Sequence, residues 1–239
     1  MNRCQQQPNN GHSQNRRVKK HILFNPYLLQ QLNLFPKKTT FARSDLLLGE
    51  QKKEDRGKIT LCLDLDETLI SSSFQEPENY DFSCTIEDVG ETYQVYVKKR
   101  PFLDYFLERV SKMFEVVIFT ASRKCYADKI LDRLDPQKET ISYRLYRDSC
   151  SLFCGSYIKD LSLLNRDLNS VLIVDDLPCS FLFHRENAIK IPPFSFYKHV
   201  TNRGSDFDFC LETTLQILEQ VHIQHDVVSI LSQPFQFVY

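Results

Sequence analysis

The chain has 239 residues, 42% of them apolar and 26% charged, with 18 Phe, 11 Tyr and no Trp. That supplies enough apolar surface for one sizeable core, and no stretch reaches the ~18 consecutive apolar residues of a membrane span. The net charge of −1 hides an asymmetry: residues 1–44 hold eight Lys or Arg and no acid, so residues 45–239 carry 22 basic and 31 acidic groups. A mostly acidic body with no nucleic-acid-reading motif makes nucleic acid a poor partner.

Residues 1–57 read as a basic arm and linker, and residues 58–239 as one catalytic domain. The opening Met-Asn-Arg-Cys-Gln-Gln-Gln-Pro lacks the apolar stretch of a secretory signal. To about Gln14 the arm is rich in Gln and Asn, a composition that resists folding. Arg16-Arg17-Val18-Lys19-Lys20 reads as a nuclear address, as part of an acid-free transit peptide, or as a solvated tail. Leu28 to Phe35 is expected to form an apolar helical segment docked on the domain, and Gln51 to Gly57 a charged linker. Eight cysteines show no framework spacing. Cys62 and Cys125 read as buried thiols, and the whole as a protein of a reducing compartment: nuclear or cytoplasmic rather than mitochondrial. A monomer is the expectation.

Ile59 to Leu63 is a run of β-formers that ends in Asp64-Leu65-Asp66-Glu67-Thr68. Its length and bounds predict a buried parallel strand. Alternation sends Asp64 and Asp66 the same way, and two carboxylates that close both ionise only if a cation or donors hold them. A lone acid or threonine after a strand can merely cap the next helix; a pair of acids at a strand exit suggests more.

A polar loop is expected from Ser71 to Tyr80, then a β-hairpin of Phe82–Ile86 and Thr92–Val97 turning at Gly90. Arg100-Pro101 opens a helix with Phe102, Phe106, Val110 and Met113 on one face. Phe114–Phe119 is a second buried strand, and a helix from about Arg123 to Leu134 follows. Tyr143–Arg147 is a third strand, and Tyr157–Asp160 a short extended element. Val171–Val174 is a fourth, ending in Asp175-Asp176, and Ala188–Ile191 a fifth. A helix from about Phe207 to Val221 and a helical turn near Val227–Leu231 close the chain. Strands alternating with helices predict an α/β fold: a doubly wound, mostly parallel, Rossmann-like sheet with a small β-hairpin insertion and no large cap domain.

In such a sheet the strand exits share one edge. Asp64, Asp66, Thr120, Lys159 and Asp175-Asp176 can therefore converge. Together they provide a carboxylate nucleophile, an acid/base, a hydroxyl donor, a cation and oxygen ligands, which are the parts phosphoryl transfer needs. Oxygen-only ligands suit Mg²⁺.

Four segments resemble the motifs of the haloacid dehalogenase superfamily: Asp64-Leu-Asp66-Glu-Thr-Leu, Phe119-Thr120-Ala-Ser122 with Tyr126-Ala-Asp128, Tyr157-Ile-Lys159-Asp160-Leu, and Val174-Asp175-Asp176-Leu-Pro178. Lys99-Arg100-Pro101, Arg144-Leu-Tyr-Arg147-Asp-Ser-Cys150 and Phe183-His184 narrow the resemblance to the small phosphatases of the RNA polymerase II C-terminal domain, and Tyr126-Ala-Asp-Lys-Ile-Leu-Asp-Arg-Leu-Asp-Pro136 looks most like their small phosphatase-like branch. It covers about Lys58 to Leu231. The resemblance implies that Asp64 attacks phosphorus and that Asp66 protonates the leaving oxygen and later activates water. It implies that Thr120, Lys159 and Arg147 hold phosphate oxygens. Mg²⁺ would sit on Asp64, the Asp66 carbonyl and Asp176, supported by Asp175. Phe74, Tyr126 and Arg123 would line a substrate pocket.

Two positions depart from the group's pattern. Asp176 stands where its members usually have Asn, and Arg123 where some have leucine in an aromatic pocket for a substrate proline. Arg123 thus weakens the expected preference for phosphoserine followed by proline. Short gaps between the motifs leave no room for a large lid, which favours protein segments over metabolites. The expected activity is a Mg²⁺-dependent serine/threonine protein phosphatase acting on flexible phosphopeptide segments, with the polymerase tail among the candidates. The alternatives are a non-catalytic binding module like the mitochondrial import receptor of this fold, and a small-metabolite phosphatase.

Overall fold

A computed structural model describes residues 46–196 and 208–231. The expected helix at Leu28–Phe35 and the basic cluster at Arg16–Lys20 lie outside them. In chain order the elements are β1 (Ile59–Leu63), β2 (Ile70–Ser73), β3 (Phe82–Asp88), β4 (Glu91–Lys99), α1 (Leu103–Met113), β5 (Phe114–Phe119), α2 (Lys124–Leu134), β6 (Tyr143–Leu145), β7 (Ser151–Phe153), β8 (Ser156–Ile158), β9 (Val171–Asp175), β10 (Ala188–Lys190), α3 (Cys210–Gln224) and α4 (Val227–Leu231). The central sheet has the order β10-β9-β1-β5-β6, and every pairing in it is parallel. β1, β5 and β9 are buried at every residue, as expected of strands covered on both faces.

The two faces are covered differently. Period-two alternation sends Leu61, Leu63, Val116, Ile118, Leu172 and Val174 into one cluster with α1, α2, α3 and α4. Cys62, Val117, Phe119, Val171 and Ile173 enter the other, which holds Leu48, Leu161, Leu164 and Phe181 and no residue of those four helices. Short 3-10 turns, Leu161–Leu163 and Leu168–Ser170, stand on that side. The stretch read as linker is bound to the domain: Leu47 N donates to the Leu163 carbonyl at 2.8 Å, Gln51 reaches the Lys58 carbonyl, and buried Asp55 accepts from Ser142 at 2.6 Å.

Two local readings are corrected and one strand is added. Ser71–Ser73 belongs to β2 and is not loop; it pairs antiparallel with β4, a tertiary pairing that three serines with no apolar alternation do not announce. Ser151–Phe153 pairs with β8 as a small hairpin, with Gly155 at φ 79° in its turn. The first helix begins at Leu103, after Pro101, because Phe102 takes a left-handed backbone (φ 73°) that cannot continue a helix. Cys62 is buried as expected, but Cys125 is only half-buried.

Candidate active site

β1 and its neighbours run in step: Leu63 pairs with Ile118 and with Val174. The next residues, Asp64 after β1 and Asp175 at the end of β9, therefore leave the sheet at one level, with Thr120 one residue further along at the end of β5. Asp64 N donates to the Val174 carbonyl at 3.0 Å and Thr120 N to the Leu145 carbonyl at 3.0 Å, continuing the ladder through the exits.

Lys159 is delivered to this edge from the chain after β8. Its backbone N donates to the Ser180 carbonyl at 2.7 Å. The next residue, Asp160, caps the following turn through Ser162 and meets the His184 ring at 2.7 Å. The Lys159 ammonium is 1% exposed and reaches Asp64 Oδ1 at 2.5 Å and Asp175 Oδ2 at 2.6 Å. Burial alone would lower its pKa, but the two carboxylates outweigh burial and raise it, so the lysine stays charged. The other Asp175 oxygen accepts from Leu177 N at 2.8 Å.

Asp66 is gripped by hydroxyls. Ser122 donates to Oδ2 at 2.6 Å, and Tyr126 donates to Oδ1 while its own oxygen lies 2.8 Å from Ser72. Burial raises the Asp66 pKa, opposed by these two hydrogen bonds. A carboxyl whose pKa is raised by burial holds its proton more readily, which suits an acid/base.

Asp64, Asp175 and Asp176 can each present one oxygen with all three within 4.8 Å of one another. Burial, then the Asp64 and Asp175 charges, push Asp176 up to about 7; burial pushes Asp175 up to about 6, though Lys159 opposes it. Three carboxylates facing one ammonium leave an uncompensated negative charge. An all-oxygen set with that excess fits a hard divalent cation such as Mg²⁺. Thr68 Oγ1 donates to Asp176 Oδ1 at 3.3 Å.

The other expected residues are placed less centrally. Thr120 is buried and its Oγ1 accepts from Ser122 N at 3.0 Å. Arg147 donates to the Ala121 carbonyl at 2.6 Å and lies 5.2 Å over the Tyr157 ring. Phe74 is 68% exposed and edge-on to Tyr93. Arg123 pairs with Asp88 near the turn of the β3–β4 hairpin. Tyr126, expected in the substrate pocket, has its hydroxyl on Asp66. Two contributors were not anticipated. Ser122 carries no role in the sequence pattern, and Arg100, at an expected helix start, has its guanidinium fully buried behind the Asp64–Ile70 loop.

Residues 59–228 match the model of the NLI interacting factor-like phosphatase family. The chain belongs to that family. It is 42% identical over 209 residues to a human carboxy-terminal domain RNA polymerase II polypeptide A small phosphatase 1, covering 87% of this chain and 76% of that one. It is 55% identical over 135 residues to a probable C-terminal domain small phosphatase of Dictyostelium discoideum, covering 56% of this chain and 44% of the relative. The fission yeast RNA polymerase II CTD phosphatase Fcp1 bound to beryllium fluoride superposes with a TM-score of 0.52 at 24% identity, over 72% of this chain and 54% of that one; this shows the shared fold. The family match covers the segment whose motifs carry the resemblance read from the sequence. No helix among the described residues is long and apolar enough to cross a membrane.

Proposed function

We propose that the protein is a Mg²⁺-dependent serine/threonine protein phosphatase that works through an aspartyl-phosphate. The observation that carries this reading is the division of labour between two aspartates at one strand exit. Asp64 is paired with the buried Lys159 ammonium at 2.5 Å, while Asp66, two residues on, is desolvated and held by hydroxyls.

In the first step an Asp64 oxygen attacks phosphorus and the bond to the seryl or threonyl oxygen breaks. That oxygen takes a proton from Asp66, leaving it as a carboxylate. In the second step Asp66 removes a proton from water, the water oxygen attacks phosphorus, and the Asp64–phosphorus bond breaks to release inorganic phosphate. Thr120, Lys159 and Arg147 are the donors that would hold the phosphate oxygens. Asp64, Asp176 and the Asp66 carbonyl, with Asp175 behind them, would hold Mg²⁺, which supplies charge neutralisation for the dianionic phosphate.

The substrate reading rests on access. The segment between Thr68 and Thr120 is filled by the β2-β4-β3 sheet and α1, and the segment between Thr120 and Lys159 by α2 and short strands. Neither forms a lid domain among the described residues, which favours flexible phosphoprotein segments; the relatives' names make the RNA polymerase II C-terminal domain one candidate. The same names, with Arg16–Lys20, favour a nuclear or cytoplasmic setting. The test is hydrolysis of p-nitrophenyl phosphate and of a phosphoserine peptide with Mg²⁺ and with a chelator. Turnover of both that needs the metal is expected. A wild-type protein that binds the phosphopeptide without hydrolysing it would establish the binding-module alternative instead.

A further inference from the structure

We propose that Arg100 is a positioning residue that sets Mg²⁺ affinity from behind the site, through Thr68. The inference rests on the phosphatase reading and concerns residues that reading leaves without a role.

The Arg100 guanidinium has no exposed surface. Nη1 donates to the Thr68 carbonyl at 3.0 Å, Nη2 to the Pro192 carbonyl at 2.8 Å, and Nε to both Asp208 oxygens at 3.1 and 3.2 Å. Its backbone N donates to the Leu69 carbonyl at 2.9 Å, and its guanidinium lies 5.6 Å from the Phe194 ring centre. Asp208 in turn accepts from Cys210 N at 2.9 Å, at the start of α3. One side chain therefore ties together the loop after the nucleophile, the segment after β10 and the first turn of α3.

The loop it holds needs holding. Glu67 has φ 62°, a backbone state that costs a non-glycine residue about 1 kcal/mol or more unless its surroundings impose it. Its carbonyl accepts from Phe194 N at 2.7 Å and its N donates to the Ile70 carbonyl at 2.7 Å. Phe196 N reaches Ser71 Oγ at 3.0 Å. Pro192 to Phe196 thus straps the loop from outside while Arg100 grips it from inside. What emerges on the site side is the Thr68 hydroxyl, fully buried and donating to Asp176 Oδ1. A hydrogen bond to a metal-binding carboxylate fixes which oxygen faces the metal, and removing such a partner costs about 10- to 100-fold in metal affinity. Lysine cannot replace Arg100, because an ammonium lacks the planar fork that serves two carbonyls and a carboxylate together.

The experiment measures Mg²⁺ dissociation constants by calorimetry on the full chain, alongside the Mg²⁺ midpoint of the rate, for Arg100→Lys, Thr68→Val and the double variant. Arg166→Lys serves as control: it perturbs another buried ion pair, with Glu115, at the far end of the sheet. The single variants are expected to bind Mg²⁺ about 10-fold or more weakly. The double variant should match the weaker single variant and not the sum, because both act along one path. Arg166→Lys should lower the melting temperature and leave Mg²⁺ affinity unchanged. Asp208→Asn keeps the helix cap and removes the countercharge, giving a milder probe if Arg100→Lys folds poorly; it too should weaken Mg²⁺ binding. Unchanged Mg²⁺ affinity in Thr68→Val, or additive losses in the double variant, would overturn the proposal. A wild type that binds Mg²⁺ but hydrolyses no phosphate ester would instead overturn the phosphatase reading and leave the positioning role measurable.

Discussion

The two ends of the central sheet each bury a charge cluster, and the clusters are built on opposite principles. At the N-terminal end, fully buried Glu115 accepts from Arg166 at 2.6 and 2.8 Å, from Thr60 at 2.6 Å and from Gln51 at 3.2 Å. Burial works to raise its pKa, but these donors outweigh burial and hold it below the usual carboxylate range. At the C-terminal end, about 13 Å along β1, Lys159 faces Asp64, Asp175 and the neighbouring Asp176, and both Asp175 and Asp176 are pushed up. One cluster is electrostatically closed and the other left negative. A closed cluster serves the fold; an open one has capacity for a cation and a phosphate.

The sharpest test of that contrast is Asp64→Asn. Asn is nearly isosteric and keeps an oxygen for Lys159, but its amide is a poor nucleophile. Turnover should fall about 10³-fold or more, with the circular dichroism spectrum retained. A variant keeping over about a tenth of the wild-type rate, beyond what loss of one acid/base group explains, would remove Asp64 as nucleophile.

Asp66→Asn should cost about 10² to 10⁴-fold on a phosphoserine peptide, the usual range for losing a general acid. On p-nitrophenyl phosphate the loss should be smaller, since that leaving group hardly needs a proton. Equal losses on both esters would argue against proton transfer by Asp66.

At the closed end, Glu115→Gln should act on stability and not on catalysis. It leaves buried Arg166 without a countercharge, a change worth about 3 to 5 kcal/mol, readable in urea unfolding. kcat measured well below the transition should stay within about twofold of wild type, within the ordinary reach of a change remote from the chemistry. A larger drop would mean the ends are coupled.

The smallest effect is in pH, and its sign differs between the ends. Asp175 and Asp176 hold protons in the fold at pH values where the unfolded chain, near 3.8, has lost them. Their contribution to metal-free stability therefore declines as pH rises from about 4 through about 7. Glu115 has a lowered folded pKa, so its contribution is present above its unfolded value of 4.5 and is lost as pH falls through the folded one. Mg²⁺ should raise the melting temperature more at pH 8 than at pH 5.5, by a few degrees at most. Asp176→Asn should shrink that difference and shift the Mg²⁺ midpoint of the rate. An Mg²⁺ stabilisation independent of pH would show that Asp176 does not carry the excess charge.

Much of this was written in the sequence. Strands such as Ile59–Leu63, Phe114–Phe119 and Val171–Val174 are apolar but for Thr60 and Glu115, a pattern that burial on both faces explains. The acids that follow them are therefore placed at the edge by chain order alone. Asp64, Asp66, Thr120, Lys159 and Asp175-Asp176 are legible as candidates because each sits at a strand exit or in a short motif. What the sequence could not carry is partnership across the chain. β2 is Ile70 and three serines made into a strand by β4. Tyr126 reads equally well as a pocket wall, and its hydroxyl finds Asp66 only once α2 packs on β3 and brings it to Ser72 of β2. Arg100 looks like the start of a helix until Thr68, Pro192 and Asp208, separated from it by up to 108 positions, close around its guanidinium. Apolar periodicity is a local signal, set by which face of one element meets the core. The hydrogen-bond partners of a buried polar group are settled by packing, because only the folded chain determines which donors and acceptors lose water together.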